Sequence, residues 1–102
     1  MFFTYDANLN YHNVTEKAPL HFKMYSDPSH SWLAVKKTIL EKYDILNEVS
    51  IYSYVKGGTY YLEEDCDATL LIKTLVDANV SFTIEDKMTN NESVIRRYQS
   101  VS

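Results

Sequence analysis

Residues 20–43, LHFKMYSDPSHSWLAVKKTILEKY, decide how the rest of the chain is read. Leu20, Phe22 and Met24 alternate with His21, Lys23 and Tyr25, which is the period of a half-buried strand ending near Ser26. Asp27-Pro28 then reads as a helix start, because an Asp side chain caps free N–H groups and proline suits the first helical position. Trp32, Val35, Ile39 and Tyr43 recur at helical spacing, Leu33 and Leu40 widen the stripe, and Lys36, Lys37, Glu41 and Lys42 take the wet side. The predicted first helix therefore spans 29–43.

Downstream, Val49 and Ile51 alternate with Tyr52 and Tyr54, predicting a strand over 49–55. Lys56-Gly57-Gly58-Thr59 is a hairpin turn, since glycine accepts positive φ, and Thr59 to Leu62 is the returning strand. The acidic run Glu63-Glu64-Asp65-Cys66-Asp67 suits the positive end of a helix, which runs to Ala78, buries Leu70, Leu71 and Leu75, and closes at Asn79. Val80, Phe82 and Ile84 predict a last strand, and Val94 to Tyr98 a short helix or a segment docked on the sheet. The order is β-α-β-β-α-β. With short, right-handed connections this predicts one α+β domain over 20–102 with a split-βαβ, ferredoxin-like sheet, preceded by an irregular N-terminal arm over 1–19.

In that topology the loops after Tyr25 and Leu62 become neighbours, bringing Asp27 and His30 beside Glu63, Glu64, Asp65, Cys66 and Asp67. His, Cys and carboxylates are ligands for transition metals, and a cysteine at a helix N-terminus can act as a nucleophile with His30 as its base. Four acidic neighbours oppose thiolate formation, and the spacing matches no zinc or catalytic signature. The plainer reading makes the acids helix caps and Cys66 a small buried residue. No catalytic residue, metal or cofactor is assigned on this basis. Tyr25, Tyr52, Tyr54 and one of Tyr60 or Tyr61 are expected to share the sheet face opposite the core, where aromatic rings stack bases or anchor a protein interface.

Ten Lys and Arg against fourteen Asp and Glu give a net charge of −4, so a general grip on duplex DNA is disfavoured. One cysteine excludes an internal disulfide and fits a reducing compartment such as the cytoplasm. No apolar stretch predicts a membrane span, and Met1 to Asp6 lacks the pattern of a secretory leader.

The stretches Asp27-Pro28-Ser29-His30-Ser31-Trp32-Leu33-Ala34-Val35, Tyr52-Ser53-Tyr54, Tyr61-Leu62-Glu63-Glu64-Asp65-Cys66-Asp67 and Ile95-Arg96-Arg97-Tyr98 resemble a group of small proteins encoded in phage and plasmid genomes. Ser29 departs from the glycine expected between the proline and the histidine. The resemblance implies a mobile-element origin and carries no chemistry with it, because members of the group mostly have no assigned activity. Size, charge and that origin favour a non-enzymatic binder, sited in the host cytoplasm, that modulates or inhibits a host protein, as anti-CRISPR proteins do; a homodimer is compatible with the same features. The alternatives are an enzyme or metal-dependent module using His30 and the loop 63–67, and a single-stranded nucleic acid binder using the sheet tyrosines.

Overall fold

The computed structural model describes residues 2–101. The segment 20–43 divides differently from the expectation above. β3 (His21–Ser26) turns tightly at Asp27–His30 into β4 (Ser31–Lys36), and only six residues, Lys37–Lys42, form helix α1. The Asp27 carboxylate does accept the N–H groups of Ser29 and His30, as a helix cap would. The same two hydrogen bonds close a β-turn when the chain beyond them pairs with a neighbouring strand. That pairing decides the matter: β4 lies antiparallel to β3 on one side and to β6 (Thr59–Glu63) on the other. Trp32, Leu33 and Val35 are all buried, so an apolar run at helical spacing is here a strand covered on both faces.

Before it, β1 (Phe2–Tyr5) and β2 (Tyr11–Val14) form a hairpin in place of the irregular arm. β1 joins the sheet through β7 (Thr83–Met88), and Phe3 enters the core. After α1, Leu46–Glu48 is a 3-10 turn and residues 51–52 form a further turn, so the expected strand 49–55 shrinks to β5 (Tyr54–Lys56). β5 and β6 meet at the expected Gly57-Gly58 turn, where Gly57 has φ +61°. Helix α2 (Asp67–Asp77) follows, and β8 (Gln99–Ser100) ends the chain beside β5.

Both helices stop in the same way. Asp44 (φ +58°) and Asn79 (φ +57°) are left-handed, and the next residues, Ile45 and Val80, donate back to Leu40 and Leu75. This is the Schellman termination, with Asp and Asn standing where glycine is commonest.

Among the described residues, eight strands form one mixed sheet in the order β2-β1-β7-β3-β4-β6-β5-β8. The protein is a single-domain α+β fold, but the order is not that of the split βαβ. There, residues 59–62 would run parallel beside β3; here β4 takes that place, and the parallel neighbour of β3 is β7. The core lies between one sheet face and the two helices, with Leu33, Leu40, Leu62, Leu71, Leu75 and Ile84 fully buried. The opposite face is crossed only in part, by a 3-10 turn at Val94–Arg97 that sets Arg96 over Trp32 and Tyr98 against Tyr61. Among the described residues no helix is long and apolar enough to cross a membrane.

Leu33 is the centre of this arrangement. Leu33→Ala is expected to cost about 2–5 kcal/mol in urea unfolding; a loss below about 1 kcal/mol would place that side chain outside a packed core.

Candidate functional site

The end of the sheet where β4 begins is also where β3 and β6 finish, because β4 is antiparallel to both. Glu63 therefore stands opposite Trp32, and the Glu64 N–H donates to the Ser31 carbonyl at 3.1 Å. This brings the turn 27–30 to the loop 63–67. The two segments converge as expected, but through an intervening strand and not through direct pairing of β3 with β6.

Two buried carboxylates hold the region together. Asp27 Oδ2 accepts from the Ser93 N–H (3.0 Å) and Arg96 Nε (2.7 Å), and Oδ1 accepts from Arg96 Nη2 (3.1 Å) as well as from the turn amides. The Arg96 guanidinium and the Ser93 amide hold the Asp27 carboxyl far below the usual carboxylate range, and Asp27 in turn raises the Arg96 pKa. The guanidinium also lies 5.2 Å from the centre of the Trp32 ring, a cation–π contact. Asp67, at the first position of α2, accepts from the Ser50 N–H and Oγ and from Ser53 Oγ, while Ser53 Oγ accepts from the Glu63 N–H. These bonds stop residues 50–53 from continuing as a strand and lock them as a turn against α2 and β6. Asp27 and Asp67, both expected as site residues, are thus consumed internally and are not presented to a ligand.

Between the two clamps lies an open cleft of about 450 Å³, lined by His30, Trp32, Ile51, Tyr52, Tyr54, Glu63, Asp65, Cys66 and Arg96. Ile51 and Tyr52 are 65% and 67% exposed at its rim, which is unusual for side chains of that size. Tyr54 packs edge-on against Trp32. Cys66 is exposed, not buried as the plainer reading had it. The Asp67 charge, some burial and the Glu63 charge push its thiol pKa up, so it is protonated at neutral pH and is a poor nucleophile. The side chains able to share a metal ion are His30, Glu63 and Glu64, whose ligand atoms lie within 4.8 Å of one another; Asp65 and Cys66 stand outside that trio.

The expected tyrosines do not share one face. Tyr25 and Tyr54 are on the open face, together with Tyr61. Tyr60 is paired with Val35 and packs toward the core, while Tyr52 belongs to the turn. Two contributors lie outside the expected site residues: Ile51, expected within the strand 49–55, and Arg96, expected in a short helix or a segment docked on the sheet; only the partner loops, distant in sequence, reveal their places. No protein-family model matches the chain, and neither a curated protein nor a solved structure matches it.

Asp27 has a depressed folded-state pKa, so its stabilisation is complete above the ordinary Asp pKa of about 4 and is lost as pH falls below it. Asp27→Asn is expected to lower the thermal midpoint at pH 7 and to flatten its fall between about pH 4 and pH 2, measured by circular dichroism. A variant with the wild-type acid profile would show that the ion pair contributes nothing to it. Asp67→Ala, which strands the Ser50 and Ser53 donors, is expected to cost about 1–3 kcal/mol per orphaned buried group by urea unfolding, against near-neutrality if water replaces the carboxylate.

Proposed function

We propose that the chain is a non-enzymatic protein-binding domain that docks on a host protein through the rim of the cleft. The observation that carries this is the pair Ile51 and Tyr52, held out to solvent on a turn that Asp67 fixes through Ser50 and Ser53. Large apolar side chains on a rigid support are the usual energetic centres of an interface, since little ordering entropy opposes their burial. Glu63, Glu64 and Asp65 flank them, which suits a partner with a basic rim around an apolar pocket. The protonated thiol of Cys66 speaks against covalent catalysis at the same place. The four stretches that resemble phage- and plasmid-encoded proteins all contribute to the cleft or its two clamps, which favours a mobile-element protein acting on a host component, defence nucleases included.

The test is affinity capture from a bacterial host lysate with the wild type beside an Ile51→Glu, Tyr52→Ala double variant. One stoichiometric protein retained by the wild type and weakened at least about tenfold by the variant is the expected result. Equal retention by both, or no retained protein, would remove the reading in that host. Light scattering on the same samples separates a host partner from a second copy of the chain: a dimer that the double variant dissociates would make this face a self-association surface.

One observation favours a second reading, a metal-dependent module: the His30, Glu63 and Glu64 trio at the cleft mouth. Calorimetric titration with Zn²⁺ and Mn²⁺ is expected to give one site per chain that His30→Ala weakens at least about tenfold. Binding unaffected by His30→Ala, or no heat at all, would reduce the trio to solvated charge.

A further inference from the structure

A second concave region lies on the same open sheet face, away from the cleft. It has a volume of about 530 Å³ and is lined by Lys17, His21, Lys23, Tyr25, Lys36 and Tyr61 with smaller and apolar neighbours. None of its lining residues is acidic, although the chain as a whole carries −4.

Strand register builds it. Ala34 of β4 is paired with Lys23 of β3 on one side and with Tyr61 of β6 on the other. Lys36 is the next residue of β4 on the same face, and Tyr25 the next on β3. A methyl group at the centre, ringed by two lysines and two tyrosines, makes a trough where a larger side chain would make a ridge. Lys17 closes one end from the preceding loop, and Lys17, Lys23 and Lys36 are all exposed. Glu85, paired with Lys23 on the adjacent strand, borders the groove; Lys87 engages it at 3.1 Å and His21 faces it at 3.5 Å. His21 is engaged by its own neighbours: its side chain is 8% exposed, Nδ1 lies 2.7 Å from Thr83 Oγ1, and Nε2 faces Glu85 Oε1 at 3.5 Å.

We propose that this groove binds a single-stranded nucleic acid segment, with Lys17, Lys23 and Lys36 meeting phosphates and the Tyr25 and Tyr61 rings meeting bases. Lysines alone would suit any polyanion. The paired rings of Tyr25 and Tyr61, 6.3 Å apart beside the lysines, favour a ligand that has flat π-faces as well as charge. Duplex DNA offers no free base face to such a groove, which is consistent with the acidic net charge and the small number of lysines.

Fluorescence anisotropy of a labelled oligothymidylate of about 12 nucleotides, first at about 20 mM salt, tests this. Saturable binding is expected, with a log–log salt slope near −2, as about three phosphate contacts at roughly −0.7 each imply for a single strand. Lys23→Glu with Lys36→Glu should weaken it at least about tenfold, and Tyr25→Ala by a similar factor, with folding of each checked by circular dichroism. Lys17→Glu, outside the sheet, is the companion variant if the strand changes unfold the chain. The Ile51→Glu, Tyr52→Ala variant should bind the oligonucleotide as the wild type does, which keeps this site distinct from the cleft. Absence of saturable binding at low salt, or binding indifferent to charge reversal, overturns the proposal. So does wild-type affinity in Tyr25→Ala together with equal binding of labelled polyglutamate, which would make the groove a receptor for acidic peptide.

Discussion

The Asp27 carboxylate sets both the path of the chain and the shape of the cleft. It accepts two amides of its own turn, which sends the chain from β3 back along β4, and it holds Ser93 and Arg96 from the other end of the sequence. A buried carboxylate stripped of these donors would be strongly disfavoured, so the turn, the C-terminal segment and the placing of Arg96 on Trp32 stand or fall together. The ion pair need not add net stability over an apolar packing of the same volume; what the structure shows is that three hydrogen bonds from Ser93 and Arg96 tie the C-terminal segment to the turn.

Much of the fold is legible locally. The alternation in β3, the Gly57-Gly58 hairpin with its returning strand β6, the stripe of α2 and the stop at Asn79 depend on neighbours in sequence, and the structure contains each of them. β4 was not legible, for a specific reason. An Asp followed by Pro and Ser makes the same side-chain to backbone bonds at a helix start as at a β-turn, and Trp32, Val35 and Ile39 satisfy a helical period. What separates the alternatives is pairing with Lys23 to Ser26 and with Thr59 to Glu63, a non-local term that outweighs propensity. The reverse error occurred at Val49 to Ser53, where alternation promised a strand but Ser50 and Ser53 are drawn to Asp67.

The site was partly legible for a related reason. His30 and the loop 63–67 meet in the structure, yet the route that brings them together is β4 itself, absent from the expected topology. The acidic residues split by burial in a way that residue type does not announce: Asp27 and Asp67 are structural, while Glu63, Glu64 and Asp65 remain available. Ile51 belongs to the cleft only because its turn is tied to α2, a contact no local pattern contains.

The open face also shows why net charge is a poor guide to partners here. Glu63, at the cleft end of β6, and Thr59, at the groove end, are four residues apart on one strand and face the same way. Between them Tyr61 is packed between Tyr25 and Tyr98, and burial raises its pKa. At a strand rise of about 3.3 Å per residue the two ends are separated by about 13 Å, more than the Debye length of about 8 Å at physiological ionic strength. Carboxylates at the cleft end therefore do little to neutralise the potential that Lys36, in the row of Thr59, creates at the other; the carboxylate that the groove does meet is Glu85, opposite Lys23. A whole-chain value of −4 averages two regions that a ligand meets separately, and the exclusion it supports applies to a duplex spanning the face, not to a strand short enough to lie in one half of it.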